Sequence, residues 1–145
     1  MKTPDAASTE RYSRWPWWRR WFGARSETAA AKYLKRQRFR ILARNVADAR
    51  GEMDILALDG DVLVVIEVRS TSTDDLDRVV SSVDNLKQKQ LSEAVLRYLA
   101  RRRLLGKINV RFDILGVSWP PAQKTPTFRH IRDAFESTGR FQMFS

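Results

Sequence analysis

The chain has no cysteine, which excludes disulfides, thiolate zinc sites and cysteine nucleophiles in one step. It has a single histidine, His130, so a paired-His metal site is excluded, and no nucleophile–base pattern surrounds it in the sequence. His130 reads as a surface or tail residue. No apolar run approaches the length of a bilayer span, and residues 1–23 contain Asp5 and Glu10 and lack the continuous apolar stretch of a secretory signal. A cytoplasmic location is the expectation. Negative charge is also scarce, with 17 Asp and Glu against 27 Lys and Arg, which gives the surface a field that concentrates polyanions. Nucleic acid is the first partner class this suggests, and peripheral contact with an acidic membrane the second.

What is present suffices for one folded unit: 145 residues, 43% of them apolar, build a single core. Composition divides the chain into an N-terminal extension over 1–23, a domain over 24–119 and a C-terminal tail over 120–145, whose scattered aromatics fit a short strand plus a tail packed on the domain. The extension places four tryptophans among arginines in Trp15, Trp17, Trp18, Arg19, Arg20 and Trp21. Such a segment stacks on bases, lies at a membrane interface or packs back on the domain. Ser26 is positioned to cap a helix with Glu27 in its first turn and Ala29, Ala30, Tyr33 and Leu34 on its apolar stripe. Strands are expected from Phe39 to about Asn45, Met53 to Leu58 and Val62 to Val68. The second and third join at the turn signal Asp59-Gly60. Residues 71–82 read as an acidic loop, about 84–101 as a helix, and 109–117 as a fourth strand stopped by Pro120-Pro121. This order predicts an α/β fold, a mixed sheet between helices.

The hairpin carries the chemistry. With Asp59-Gly60 as a two-residue loop, Leu58 faces Asp61, Asp54 faces Val65 and Glu52 faces Glu67. Paired residues share a face and side chains alternate, so Asp54, Glu67 and Arg69 project together with Glu52 beside them. Asp54 and Glu67 become diagonal neighbours, roughly 7–8 Å apart at the backbone. Acidic groups on an apolar strand need a positive partner, and two answers stand open: a hard cation such as Mg²⁺ or Mn²⁺, or ion pairs with arginine. Lys87 falls within the apolar arc of the second helix, with Leu91, Ala94 and Tyr98. It either meets a buried acid or phosphate, or snorkels past the helix end. Gln88, beside it, is placed to contact substrate. Lys89 and Arg97 are candidate phosphate contacts that serve equally as a solvated helix face.

The segments Glu27-Thr-Ala-Ala, Leu42-Ala-Arg44-Asn45, Gly51-Glu-Met-Asp54-Ile-Leu-Ala, Val65-Ile-Glu67-Val-Arg69, Val83 through Lys87-Gln88 and Arg111-Phe-Asp-Ile resemble the YraN-like family, over about 23–117. That family is placed with the PD-(D/E)xK, restriction-endonuclease-like proteins. The resemblance implies a three-layer sandwich and a Mg²⁺-dependent nuclease acting on DNA, with structured or branched DNA as a candidate substrate. It puts Glu27, Asp54, Glu67, Arg69 and Lys87 in the catalytic set, with Asp54 and Glu67 on the metal and Arg44 among the substrate contacts. One position departs from the motif, which ordinarily ends in Lys where this chain has Arg69. Guanidinium stays protonated and cannot serve as a general base. A non-catalytic nucleic-acid-binding protein that keeps the fold is therefore the alternative.

Overall fold

Alternating and helical hydrophobic patterns resolve into α1 (Trp17–Arg36), β1 (Arg40–Asp48), β2 (Gly51–Asp59), β3 (Val62–Thr71), α2 (Leu76–Ser81), α3 (Asn85–Arg101), β4 (Asn109–Ser118) and β5 (Thr127–Phe135). The computed structural model describes residues 17–137, with side chains from 23 onward. The side chains of the Trp/Arg segment, and residues 138–145 of the tail with Phe141 and Phe144, lie outside what is described. One mixed sheet runs in the order β1-β2-β3-β4-β5. Only β3 and β4 are parallel, joined through α2 and α3, and the other pairs are antiparallel.

Period-two alternation sends the strands' apolar residues to two cores, which makes the sandwich three layers deep. Ile55, Ala57, Val64, Ile66, Leu115 and Val117 pack with Ala30 and Leu34 of α1. Leu56, Leu63, Val65 and Phe112 pack with Leu91, Val95 and Leu99 of α3. β3 is buried on both faces from Leu63 to Glu67, as its unbroken apolar run requires of a central strand.

Several elements differ from their sequence reading. Helix α1 begins at Trp17, so Ser26 is an interior residue and not a cap; it is buried and its Oγ accepts the Trp119 indole N–H at 2.7 Å. Strand β1 continues past Asn45 to Asp48. Its partner β2 is not offset as expected from β3: Asp59 faces Val62 and Leu56 faces Val65, which leaves Gly60-Asp61 as the loop. Gly60 holds φ at 63°, the left-handed value a two-residue hairpin asks of its first central residue. The shift is two residues, so every side chain keeps its expected face.

The stretch expected as an acidic loop contains α2. Asp75 caps it by accepting the Arg78 N–H, and it carries Leu76 and Val80 onto Gly116 of β4. A Cβ at Gly116 would stand 3.1 Å from Leu76 Cδ2, so the glycine lets α2 lie close to the sheet. Past Pro120-Pro121 the chain returns as β5, an edge strand of the sheet that extends the folded unit beyond 119. There Phe128 stacks on Tyr33 and Phe135 on Phe112, at 4.7 and 4.8 Å between ring centroids.

Candidate active site

The β2–β3 ladder ends at Ile55–Ile66. One step further the register sets Asp54 opposite Glu67, a direct neighbour and not a diagonal one. Here the Val68 N–H donates to Asp54 Oδ2 at 2.9 Å, so a side chain takes the amide that a ladder bond would otherwise use. Burial drives the Asp54 carboxyl well above its ordinary range, and the charge of Glu67 pushes the same way.

Glu67 is 4% exposed. Its Oε2 meets two cations, Arg69 Nη2 at 3.2 Å and Lys87 Nζ at 3.5 Å. Its Oε1 is buried with no partner. The expected contest between cation binding and arginine pairing is thus divided within one carboxylate, with one oxygen paired and the other open. Lys87 reaches Glu67 because the Asp84 carboxylate caps α3 by accepting the Lys87 N–H. That cap fixes the first turn against the sheet. The sequence placed Lys87 on the buried arc, and the structure supplies its acidic partner.

Glu27 approaches from α1 on the other side. Burial raises its carboxyl pKa, a hydrogen bond with Asn45 opposes this, and the charges of Glu52 and Glu67 add to the rise while Arg44 lowers it. Asn45 can reach Glu27 because β1 is irregular between Ile41 and Ala43, and Asn45 itself adopts φ of 52°, a left-handed state Asn tolerates. Sequence reasoning gave Asn45 no role of its own; its signal was its place in the Leu42-Ala-Arg44-Asn45 segment at the expected end of the first strand.

The structure therefore gathers Glu27, Asp54, Glu67, Arg69 and Lys87 at one end of the sheet, and it places the proposed substrate contacts differently. Gln88 Nε2 donates to the Val83 carbonyl at 3.2 Å. Arg44 donates to Thr28 Oγ1 at 3.2 Å, while Lys89 is exposed. Arg97 is held by Asp48 through Nε at 2.6 Å and Nη2 at 3.1 Å, and this bidentate bond pulls the Asp48 carboxyl down to about 2.

His130, expected at the surface, is half-buried, with its imidazole turned inward. Its Nε2 lies 2.8 Å from Asp113 Oδ2, with side chains 5% and 0% exposed. The sequence hid this pair because it depends on the β4–β5 register.

Among the described residues no three His, Cys, Asp or Glu side chains form a metal cage, and no helix is long and apolar enough to cross a membrane. Two carboxylates nonetheless fit a hydrated Mg²⁺, which ordinarily takes one or two and keeps waters and phosphate oxygens. The partnerless Glu67 Oε1 is the feature a cation would satisfy.

The model of "Uncharacterised protein family UPF0102" matches residues 26–117. The chain belongs to the UPF0102 family, the YraN-like group. The family's matched span contains all five gathered residues and stops before β5. Among UPF0102 relatives, a protein of Geobacter sulfurreducens is 40% identical over 114 residues, 79% of this chain and 88% of the relative. One of Rhodopirellula baltica is 38% identical over 120 residues, 81% of this chain and 71% of the relative. A third, of Chlorobaculum parvum, is 43% identical over 97 residues, 67% and 74% of the two chains.

Proposed function

We propose that this UPF0102 protein is a divalent-cation-dependent phosphodiesterase acting on nucleic acid, with DNA, including structured or branched DNA, as substrate. The observation that carries this reading is the half-open Glu67 carboxylate beside the desolvated Asp54. The net charge of +10 supports a polyanionic substrate.

Asp54 and Glu67 would hold Mg²⁺ or Mn²⁺. When bound, such an ion lowers the pKa of a coordinated water and offsets charge that builds on phosphate. The chain's own groups divide the remaining work. Lys87 and Arg69 neutralise Glu67 before substrate arrives. Arg69 then offers guanidinium N–H groups to a phosphate oxygen, and its Nε–H, buried without an acceptor, has the most to gain. Leaving such a donor unpaired costs about 1–3 kcal/mol. Glu27, protonated more readily than an ordinary carboxyl, hydrogen-bonds the attacking water. Water adds to phosphorus, the bond to one ester oxygen breaks, and that oxygen leaves with a proton.

Arg69 limits this chemistry, because guanidinium cannot take the water's proton. Arg69→Lys is therefore expected to raise Mn²⁺-dependent cleavage of a panel of duplex, junction, flap and single-stranded DNA by about 100-fold, the lower end of general-base contributions. Cleavage by Asp54→Ala, Glu67→Ala protein at the wild-type rate would exclude this site as the origin of activity. A second reading, a non-catalytic nucleic-acid-binding protein, is favoured by the same arginine. It predicts salt-dependent binding of these DNAs with no nicking by either the wild type or Arg69→Lys.

A further inference from the structure

Beyond Arg69, β3 forms one wall of a cleft of about 340 Å³. Its other walls come from the loop at Thr73 and from Arg78 and Ser82 around α2. None of these residues has a part in the carboxylate site except Arg69, which belongs to both. Its Nη2 pairs with Glu67 while its buried Nε–H lacks an acceptor. Arg78 is exposed and forms no ion pair with the described residues.

The hydroxyls of the cleft add a donor. Thr71 Oγ1 accepts the Thr73 N–H at 3.1 Å, and Thr73 Oγ1 accepts the Asp75 N–H at 3.3 Å. The two hydroxyls lie 3.0 Å apart, so one donates to the other and the second hydroxyl hydrogen is left over. One carboxylate stands on the wall, Asp75, which keeps its charge while its Oδ1 accepts the Arg78 N–H at 3.2 Å; the two guanidinium groups outnumber it. Two guanidinium groups and a spare hydroxyl donor make a receptor for an anionic oxygen. It offers nothing shaped to read a base.

We infer that this cleft binds the phosphodiester backbone of the nucleic-acid strand beside the phosphate that Arg69 holds, and so sets the path of the strand across the carboxylate site. The inference rests on the phosphodiesterase reading. It concerns binding, which is measured without a metal and separately from cleavage.

The test is fluorescence anisotropy of a labelled single-stranded oligonucleotide with the full chain in EDTA, over a series of salt concentrations. Arg78→Ala is expected to weaken binding several-fold and to lower the slope of log affinity against log salt by about 0.7, one phosphate contact on a single strand. Arg78→Lys restores most of the slope. Lys35→Ala, an exposed change two helical turns beyond Glu27, keeps the wild-type slope. An unchanged slope and affinity in Arg78→Ala would overturn the cleft and leave the phosphodiesterase reading intact. Absence of salt-dependent nucleic-acid binding by the wild type in EDTA alone would overturn the cleft, and its absence with Mg²⁺ present as well would overturn both. Arg78-dependent binding to phosphatidylserine vesicles with none to the oligonucleotide would make the occupant a lipid surface and likewise overturn the cleft's assignment.

Discussion

Replacing Asp54 by Asn is expected to raise the thermal stability of the metal-free protein and to lower cation-dependent cleavage at least about 100-fold, a loss of about 2.7 kcal/mol of transition-state stabilisation. Both effects come from one placement. Burial and the neighbouring Glu67 raise the Asp54 carboxyl well above its ordinary range. The folded state therefore holds that proton more tightly than the unfolded chain, whose Asp titrates near about 3.9. As pH rises above that value the folded protein is disadvantaged, and stability falls until pH has passed the raised pKa. Glu27, also raised, has the same sign. The amide in Asp54→Asn keeps an oxygen to accept the Val68 N–H but has no charge to desolvate, so the variant's melting temperature changes less with pH over this interval. Mg²⁺ or Mn²⁺ should raise the wild-type melting temperature by binding only the folded state, and raise it far less in Asp54→Asn. Equal responses of the two proteins to cation would remove Asp54 from the site.

The co-facial acids were legible in the sequence because their argument needs only parity. Taking Asp59-Gly60 or Gly60-Asp61 as the loop shifts the register by two and returns Asp54 and Glu67 to the same face. The register itself was not legible, since a left-handed glycine serves either loop. Lys87 was legible from helical periodicity, because Leu91, Ala94 and Tyr98 on the same arc fixed which side of α3 is buried. Strand β5 was legible only as a short strand somewhere in the tail. An edge strand that is exposed at Arg129, Arg132 and Asp133 shows too few apolar positions to fix its bounds. Helix α2 was masked by the acids around Leu76, Val79 and Val80, one of which, Asp75, is its cap. The Arg97–Asp48 pair was not legible in the sequence, because Asp48 lies on β1, 49 residues away.

Asp113→Ala should produce the largest loss of stability, about 3–5 kcal/mol, the scale on which a buried charged pair responds to loss of one partner. The Asp113 side chain is 0% exposed and accepts from Arg111 Nε and Nη2, both at 2.9 Å, while His130 Nε2 lies 2.8 Å away. A fourth bond comes from the Asp133 N–H at 3.0 Å. Asp133 adopts φ of 53° where the β4–β5 register shifts, a bulge that turns its amide toward the carboxylate. The Ala variant leaves this amide and His130 without their acceptor and Arg111 with Asp59 alone, with the His130 ring packed against Phe39 and Tyr33. For a domain of this size the melting temperature should fall by roughly 10–20 °C. The pH dependence has the opposite sign from that of Asp54. Burial alone would raise the Asp113 pKa, but the bonds from His130, Arg111 and Asp133 outweigh it and hold the carboxyl below its ordinary range. Its stabilisation is present at neutral pH and is lost as pH falls below about 4 through the lowered value. Wild-type protein should therefore lose stability on acidification over an interval in which Asp113→Ala changes little. A loss under about 1 kcal/mol in the variant, the ordinary cost of a single neutral hydrogen bond, would show that the cluster does not hold β5 to the sheet.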